Sequence, residues 1–262
     1  MRWTERQQGM LREMGLRVWA PGEAAAPEPV IARVPPPAGS PPLPAPGPAP
    51  APAQAPAPEA PRASPVAGLG WPELRAAVAA CRACGLCESR KQTVFGVGHE
   101  SAHWMIVGEA PGEQEDLQGE PFVGAAGRLL DRMLLALGLT REPAEPARQV
   151  FIANTLKCRP PRNRNPEPDE LLKCQPFLER QVELVQPRVI LAMGRFAIQS
   201  LLDSTEPVGR LRGRVHQWRG RPLIVTYHPA YLLRNPVDKA RAWADLCLAA
   251  QTAEQMAAQH QG

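Results

Sequence analysis

Nowhere in its 262 residues does this chain run apolar and uncharged for the roughly 20 residues that a membrane-spanning helix needs. The first residues are interrupted by Arg2, Glu5, Arg6, Arg12 and Glu13, with no continuous apolar stretch of the kind a secretory leader carries. Neither membrane association nor export is expected, and the chain reads as soluble, cytoplasmic and, by default, monomeric. Charge of one sign is also scarce. Thirty Lys and Arg oppose 26 Asp and Glu, and the net +4 permits a phosphate-binding face without demanding one.

Proline, by contrast, is abundant and unevenly spread. Seventeen of the 32 prolines fall in residues 21–65, in an Ala-Pro alternation that offers few large apolar side chains to bury. Each proline fixes φ and removes an amide donor, which favours an extended, polyproline-II-like tether over a packed fold. Residues 21–65 are therefore expected to be a disordered Pro/Ala-rich linker. It joins a short N-terminal peptide, residues 1–20, to one domain, residues 66–262, long enough to enclose a single core.

Within the domain, residues 103–108, 150–155, 188–193 and 223–227 are short apolar runs rich in β-branched residues, and each predicts a buried strand. Between and after them, residues 125–137, 168–185, 195–202 and 239–256 repeat with helical spacing. The alternation predicts an α/β fold: a single three-layer domain with a central four-stranded parallel sheet flanked by helices. Ligands of such sheets bind beyond the carboxyl ends of the strands. Three of the four strands are followed there by polar, turn-forming segments, beginning at Gly108, Asn154 and His228.

Six cysteines without an export signal argue for metal binding rather than disulfides. Cys81 and Cys84 form a Cys-x-x-Cys pair that Cys87 extends to a triple, and Cys158 and Cys174 lie sixteen residues apart. Four thiolates suit tetrahedral zinc or an iron-sulfur cluster equally well by spacing. Cys247, in the last helical pattern, reads as a buried free thiol.

Five segments in order, Cys-Arg-Ala-Cys (81–84), Gly-Glu-Ala-Pro-Gly-Glu-Gln-Glu-Asp (108–116), Pro-Phe-Val-Gly (121–124), Asn-Thr-Leu-Lys-Cys-Arg-Pro-Pro (154–161) and His-Pro-Ala-Tyr-Leu-Leu-Arg-Asn-Pro (228–236), resemble the family 4, iron-sulfur branch of the uracil-DNA glycosylases. The resemblance implies a DNA repair hydrolase that cuts the N-glycosidic bond of deoxyuridine. It implies a 4Fe-4S cluster on Cys81, Cys84, Cys158 and Cys174, with Cys87 left as a bystander or a substitute ligand. It also implies that Phe122 stacks on uracil, that Asn154 reads its O4 and N3–H, and that His228 contacts its O2. Glu109, with Ala110 and Pro111, would line the pocket, and Glu109 would orient water or favour a cationic sugar. Glu115 would block the thymine methyl, and Asp116 is a secondary candidate for the water. Another branch carries Asp where this chain has Ala110, so the water-activating group does not transfer directly.

For the DNA itself, Tyr231, Leu232, Leu233 and Arg234 read as an apolar and basic loop suited to wedging where a base leaves the stack. Arg159, Arg162 and Arg164 are spaced to contact phosphates without reading sequence. Residues 10–19 are similar to the N-terminal peptide of the psi subunit of the bacterial polymerase III clamp loader, which implies recruitment to replication machinery. A helix folding back on the domain is the other reading of that peptide. Two further functions fit parts of the pattern, a glycosylase of altered base specificity and a non-catalytic zinc-binding nucleic-acid adaptor.

Overall fold

The computed structural model describes residues 66–259, all within the second of the two units into which the chain divides, Pro58–Gly262. The N-terminal peptide and the Pro/Ala-rich linker lie outside the described residues. In chain order the elements are α1 (Trp71–Ala80), α2 (Leu86–Ser89), β1 (Val97–Gly98), β2 (Trp104–Gly108), α3 (Glu113–Gln118), α4 (Ala125–Leu135) and β3 (Phe151–Asn154). A 3-10 turn (Pro161–Asn163) leads to α5 (Pro168–Val185), β4 (Val189–Met193), α6 (Arg195–Leu202), α7 (Val208–Leu211), β5 (Val215–Trp218) and β6 (Arg221–Thr226). The short helix α8 (Pro229–Arg234), a second 3-10 turn (Pro236–Asp238) and the long helix α9 (Lys239–Gln259) complete the described chain.

The expected four-stranded parallel sheet is corrected to a six-stranded mixed one, in the order β1-β3-β2-β4-β6-β5. The four predicted strands are its parallel centre, with Gly108 level with Asn154, and Val107 and Thr226 near the same rim. Two antiparallel edge strands were not foreseen. β1 is only two residues long, and β5 is mostly exposed, so neither has the continuous apolar run that marks a buried strand. β5 and β6 form a hairpin closed by Arg219 and Gly220, both at positive φ (46° and 76°), as a twist-matched two-residue turn requires.

Residues alternate between the two faces of the central strands. Met105, Val107, Phe151, Ala153, Ile190 and Ala192 pack with Leu74 and Val78 of α1, Leu178 and Val182 of α5, and Ile198 of α6. Ile106, Ile152, Leu191 and Ile224 pack on the other face with Leu130 and Leu134 of α4 and Leu246 and Ala249 of α9. Each large side chain so enclosed contributes roughly 1.5–3 kcal/mol from removal of apolar surface from water. Helix α5 begins as its sequence dictates, with Pro168 in the first turn and a capping box between Glu167 and Glu170. Among the described residues no helix is long and apolar enough to cross a membrane.

Candidate active site

Strand order reverses around β2, because the chain steps from it to β3 on one side and later to β4 and β6 on the other. The carboxyl ends of these strands flank a crevice at that switch point, where open α/β sheets bind ligands. A cavity of about 220 Å³ opens there, walled by Glu109, Ala110 and Pro111 after β2, Asn154 at the end of β3, and His228 after β6. Glu115 of α3 and Phe122 complete the wall. All seven residues predicted to contact substrate thus share one cavity.

Local backbone chemistry explains the convergence. Beyond the last paired residues, Thr155 N donates to Gly108 O (3.0 Å), Leu156 N to Glu109 O (3.1 Å) and Thr155 Oγ1 to Glu109 O (2.5 Å), so Glu109 and Asn154 are held side by side. Gly108 is required there, since a β-carbon would run into both Asn154 Oδ1 and the Phe122 ring. Phe122 adopts φ 56°, a strained backbone for a side chain of its size, and Gly127 leaves the room its carbonyl needs. Glu115 Oε1 accepts from Val123 N (3.2 Å) and steadies the same turn.

The polar groups of the cavity have distinct electrostatics. Asn154 is buried, and its side-chain amide makes no hydrogen bond to any described residue, so both its donor and its acceptor are available to a ligand. Burial pushes the Glu109 carboxyl up to about 7, opposed by the charge of Arg195. Burial, helped by the charge of Arg234, pushes His228 down to about 4. His228 Nδ1 accepts from Ala230 N (3.2 Å), so the neutral ring carries its proton on Nε2. Its ring stacks on Phe122, centroids 5.3 Å apart.

Asp116 does not face the cavity. It is buried, and its carboxylate accepts from Lys91 N (3.0 and 3.2 Å) and Gln92 N (3.5 Å), which makes it an anchor for the 90–92 segment.

The residues expected to meet DNA divide. Residues 229–234 are a helix rather than a loop, because Pro229 starts a turn that His228 caps. Leu232 is only 1% exposed and packs inward, which corrects its expected place in a surface wedge; Leu233 and Arg234 are exposed. Tyr231 stacks on Tyr227 at 5.0 Å and donates to Asp238 Oδ2 (2.8 Å). Arg164 borders the substrate cavity but is held by Glu170 through two hydrogen bonds (2.9 and 2.5 Å). Arg159 donates to Asn163 Oδ1 (2.8 Å) and stands 3.6 Å from Glu113, while Arg162 is exposed at φ 54°.

A second cavity is lined by Cys81, Cys84, Cys87, Cys158 and Cys174. Burial raises the Cys84 and Cys158 thiols and pushes Cys174 up to about 12, and nearby cysteines add to the rise at these three. Arg90 reaches in between the two halves of the set, donating to Cys158 Sγ (2.9 Å) and to the carbonyls of Cys81 (2.9 Å) and Ala79 (3.1 Å). Lys157 N donates to Cys174 Sγ (3.3 Å). Thiols that share a cavity and accept from N–H donors fit a thiolate-held group. Among the described residues no three Cys, His, Asp or Glu side chains form a set for a single metal ion. Sequence reasoning missed Arg90 and Lys157. The only signal for either was its nearness to a cysteine motif.

Residues 95–247 match the uracil DNA glycosylase superfamily. The chain is 46% identical to a type-4 uracil-DNA glycosylase of Saccharolobus solfataricus over 60% of this chain and 74% of that protein. It is 45% identical to one of Archaeoglobus fulgidus (61% and 81% covered) and 42% identical to one of Thermotoga maritima (62% and 82% covered). With a cavity at the switch point of the sheet, cysteines gathered beside it and these relatives, this chain belongs to the type-4 branch of the uracil-DNA glycosylase superfamily.

Proposed function

We propose that the cavity between Glu109, Phe122, Asn154 and His228 carries out the family's reaction, hydrolysis of the N-glycosidic bond of deoxyuridine in DNA to release uracil and leave an abasic site. The observation that carries this reading is the unpartnered amide of Asn154, a residue only 3% exposed, open to the same cavity as a neutral His228. A base inside a duplex must first be flipped out, which costs a few kcal/mol and least for a mispaired uracil. In the cavity the Asn154 side chain accepts from uracil N3–H and donates to O4, a pairing that cytosine cannot offer. Phe122 supplies the stacking surface, and Glu115, on the wall of the same cavity, would exclude a 5-methyl group.

Bond cleavage leaves negative charge on uracil and positive charge on the sugar. His228 Nε2–H donates to O2 as the anion develops, a stabilisation that needs no proton transfer. Glu109, as carboxylate, orients water toward C1′ or balances the cationic sugar. Ala110 and Pro111 close the wall and limit bulk water. Outside the cavity, Arg159, Arg162, Leu233 and Arg234 would meet the phosphates and the disturbed stack, with Tyr231 buttressing the helix that carries Leu233 and Arg234, and Arg164 bracing the rim through Glu170.

Cys81, Cys84, Cys158 and Cys174 would hold a 4Fe-4S cluster that, when bound, supplies a structural tie and no redox step. A cytoplasmic setting, which keeps thiols reduced, suits such a site. A monomer acting alone, with residues 10–19 recruiting it to a clamp-loader subunit, completes the reading.

Single-turnover incubation with an oligonucleotide carrying one uracil, followed by alkali, tests the proposal. Strand breaks at uracil are expected with wild-type protein and a rate about 10²-fold lower in Glu109→Gln. Full-rate cleavage by E109Q would remove Glu109 from the mechanism.

A further inference from the structure

Lys157 lines the cysteine cavity, yet its amino group reaches back to the end of β3 beside the other cavity. Its side chain is fully enclosed, 1% exposed, and no described carboxylate pairs with it. Nζ donates to the main-chain carbonyl of Asn154 (2.7 Å) and to Gln181 Oε1 (2.7 Å), while Gln181 Nε2 donates to Phe95 O (2.9 Å). Its main-chain N donates to Cys174 Sγ (3.3 Å), so backbone and side chain of this residue serve different neighbours. A buried lysine costs desolvation that a methionine of similar length would avoid. That cost is offset only if the amino group holds something in place.

What it holds is the end of β3. Asn154 is the last residue of the strand, and the next peptide units are tied across to Gly108 and Glu109. The Nζ bond to Asn154 O holds the peptide carbonyl from which this turn departs. The Asn154 amide, which has no partner of its own, therefore points into the cavity because its backbone is clamped from behind.

The structure assigns Lys157 as a positioning residue that orients Asn154 for uracil. This rests on the reading of Asn154 as the uracil-contacting amide. A double-mutant cycle separates positioning from general damage, because two residues acting through one contact lose it only once.

Full-length Lys157→Met, Asn154→Ala and the double variant are compared in single-turnover cleavage of uracil-containing duplex, with cooperative melting as the check on folding. K157M is expected to slow cleavage by about tenfold or more, N154A by at least as much, and the double variant no further than N154A alone. If K157M does not fold, Lys157→Gln, which is too short to span both acceptors, takes its place in the cycle with the same non-additive outcome expected. Wild-type cleavage by the Lys157 variant overturns the inference, as does a double variant whose loss is the product of the two single losses. A wild-type rate in N154A overturns the reading of Asn154 and this inference with it.

Discussion

Phe122 and His228 lie ring against ring, their centroids 5.3 Å apart and their planes inclined by 27°. The contact joins a turn strained at φ 56° to the residue that caps α8, so the two sides of the cavity pack against each other. It also helps to enclose the imidazole, and burial is the main reason that His228 is neutral. A neutral ring with its proton on Nε2 can donate to a developing oxyanion without first losing a proton of its own.

A first prediction follows from that neutrality. Because His228 gains a proton only near pH 4, its form does not change between pH 5 and 9. His228→Ala should lower single-turnover cleavage by about 10²-fold, as loss of a well-placed oxyanion donor does, and leave the shape of the pH profile unchanged. A profile whose limb near pH 7 vanished in H228A would assign that limb to the histidine instead.

The limb near pH 7 is expected from Glu109. Its carboxyl is raised to about 7, so the carboxylate form and the cleavage rate should both rise as pH passes through that value, and E109Q should flatten the rise. Stability should respond in the opposite direction. The folded protein keeps this proton up to about pH 7, whereas an unfolded chain releases it near 4.5, so stability contributed by this site falls between those values. E109Q should therefore melt higher than wild type at pH 8 and at nearly the same temperature at pH 4. Calorimetry at the two pH values checks this.

Substitution of Cys81, Cys84, Cys158 or Cys174 by Ser should each abolish the visible thiolate-to-iron absorbance and lower the melting temperature, since two chain segments lose their tie. Cys87→Ser should keep the absorbance. Equal loss in C87S would make it a ligand. Iron content per chain gives an independent measure.

Arg162 and Arg164 should differ in their response to salt. Arg162 is exposed and free to meet a phosphate, so Arg162→Ala should lower the slope of log affinity against log salt by about one. Arg164 is already engaged by Glu170, so Arg164→Ala should leave that slope unchanged and loosen the rim instead. Binding of uracil-containing duplex at several salt concentrations separates the two.

Much of this molecule can be read along the chain because its signals are local. The four central strands carry continuous apolar runs, a consequence of burial on both faces, and α5 announces its start through Pro168 and the Glu167–Glu170 capping box. The cavity-lining residues were legible for a different reason. They lie within a few residues of strand ends, and a parallel sheet brings those ends to one rim whatever its exact strand order.

What tertiary structure alone decided depends on partners distant in sequence. β1 and β5 are strands only because a neighbour supplies their hydrogen bonds, and no periodicity of their own marks them. Neighbouring acidic residues in one motif part company: Glu115 faces the cavity, while Asp116 turns to amides about 25 residues earlier in the chain. Leu232 and Leu233 look alike in sequence, but one fills the core and the other meets solvent. Arg164 resembles Arg162 until Glu170 is placed beside it. Sequence by itself determined the four central strands, the long helices and which segments meet at the rim of the sheet, because burial and turn formation are written in local spacing. Only the folded structure decided which neighbouring polar or apolar side chain points where, and therefore that Lys157 clamps Asn154, because that depends on contacts the chain makes after distant segments meet.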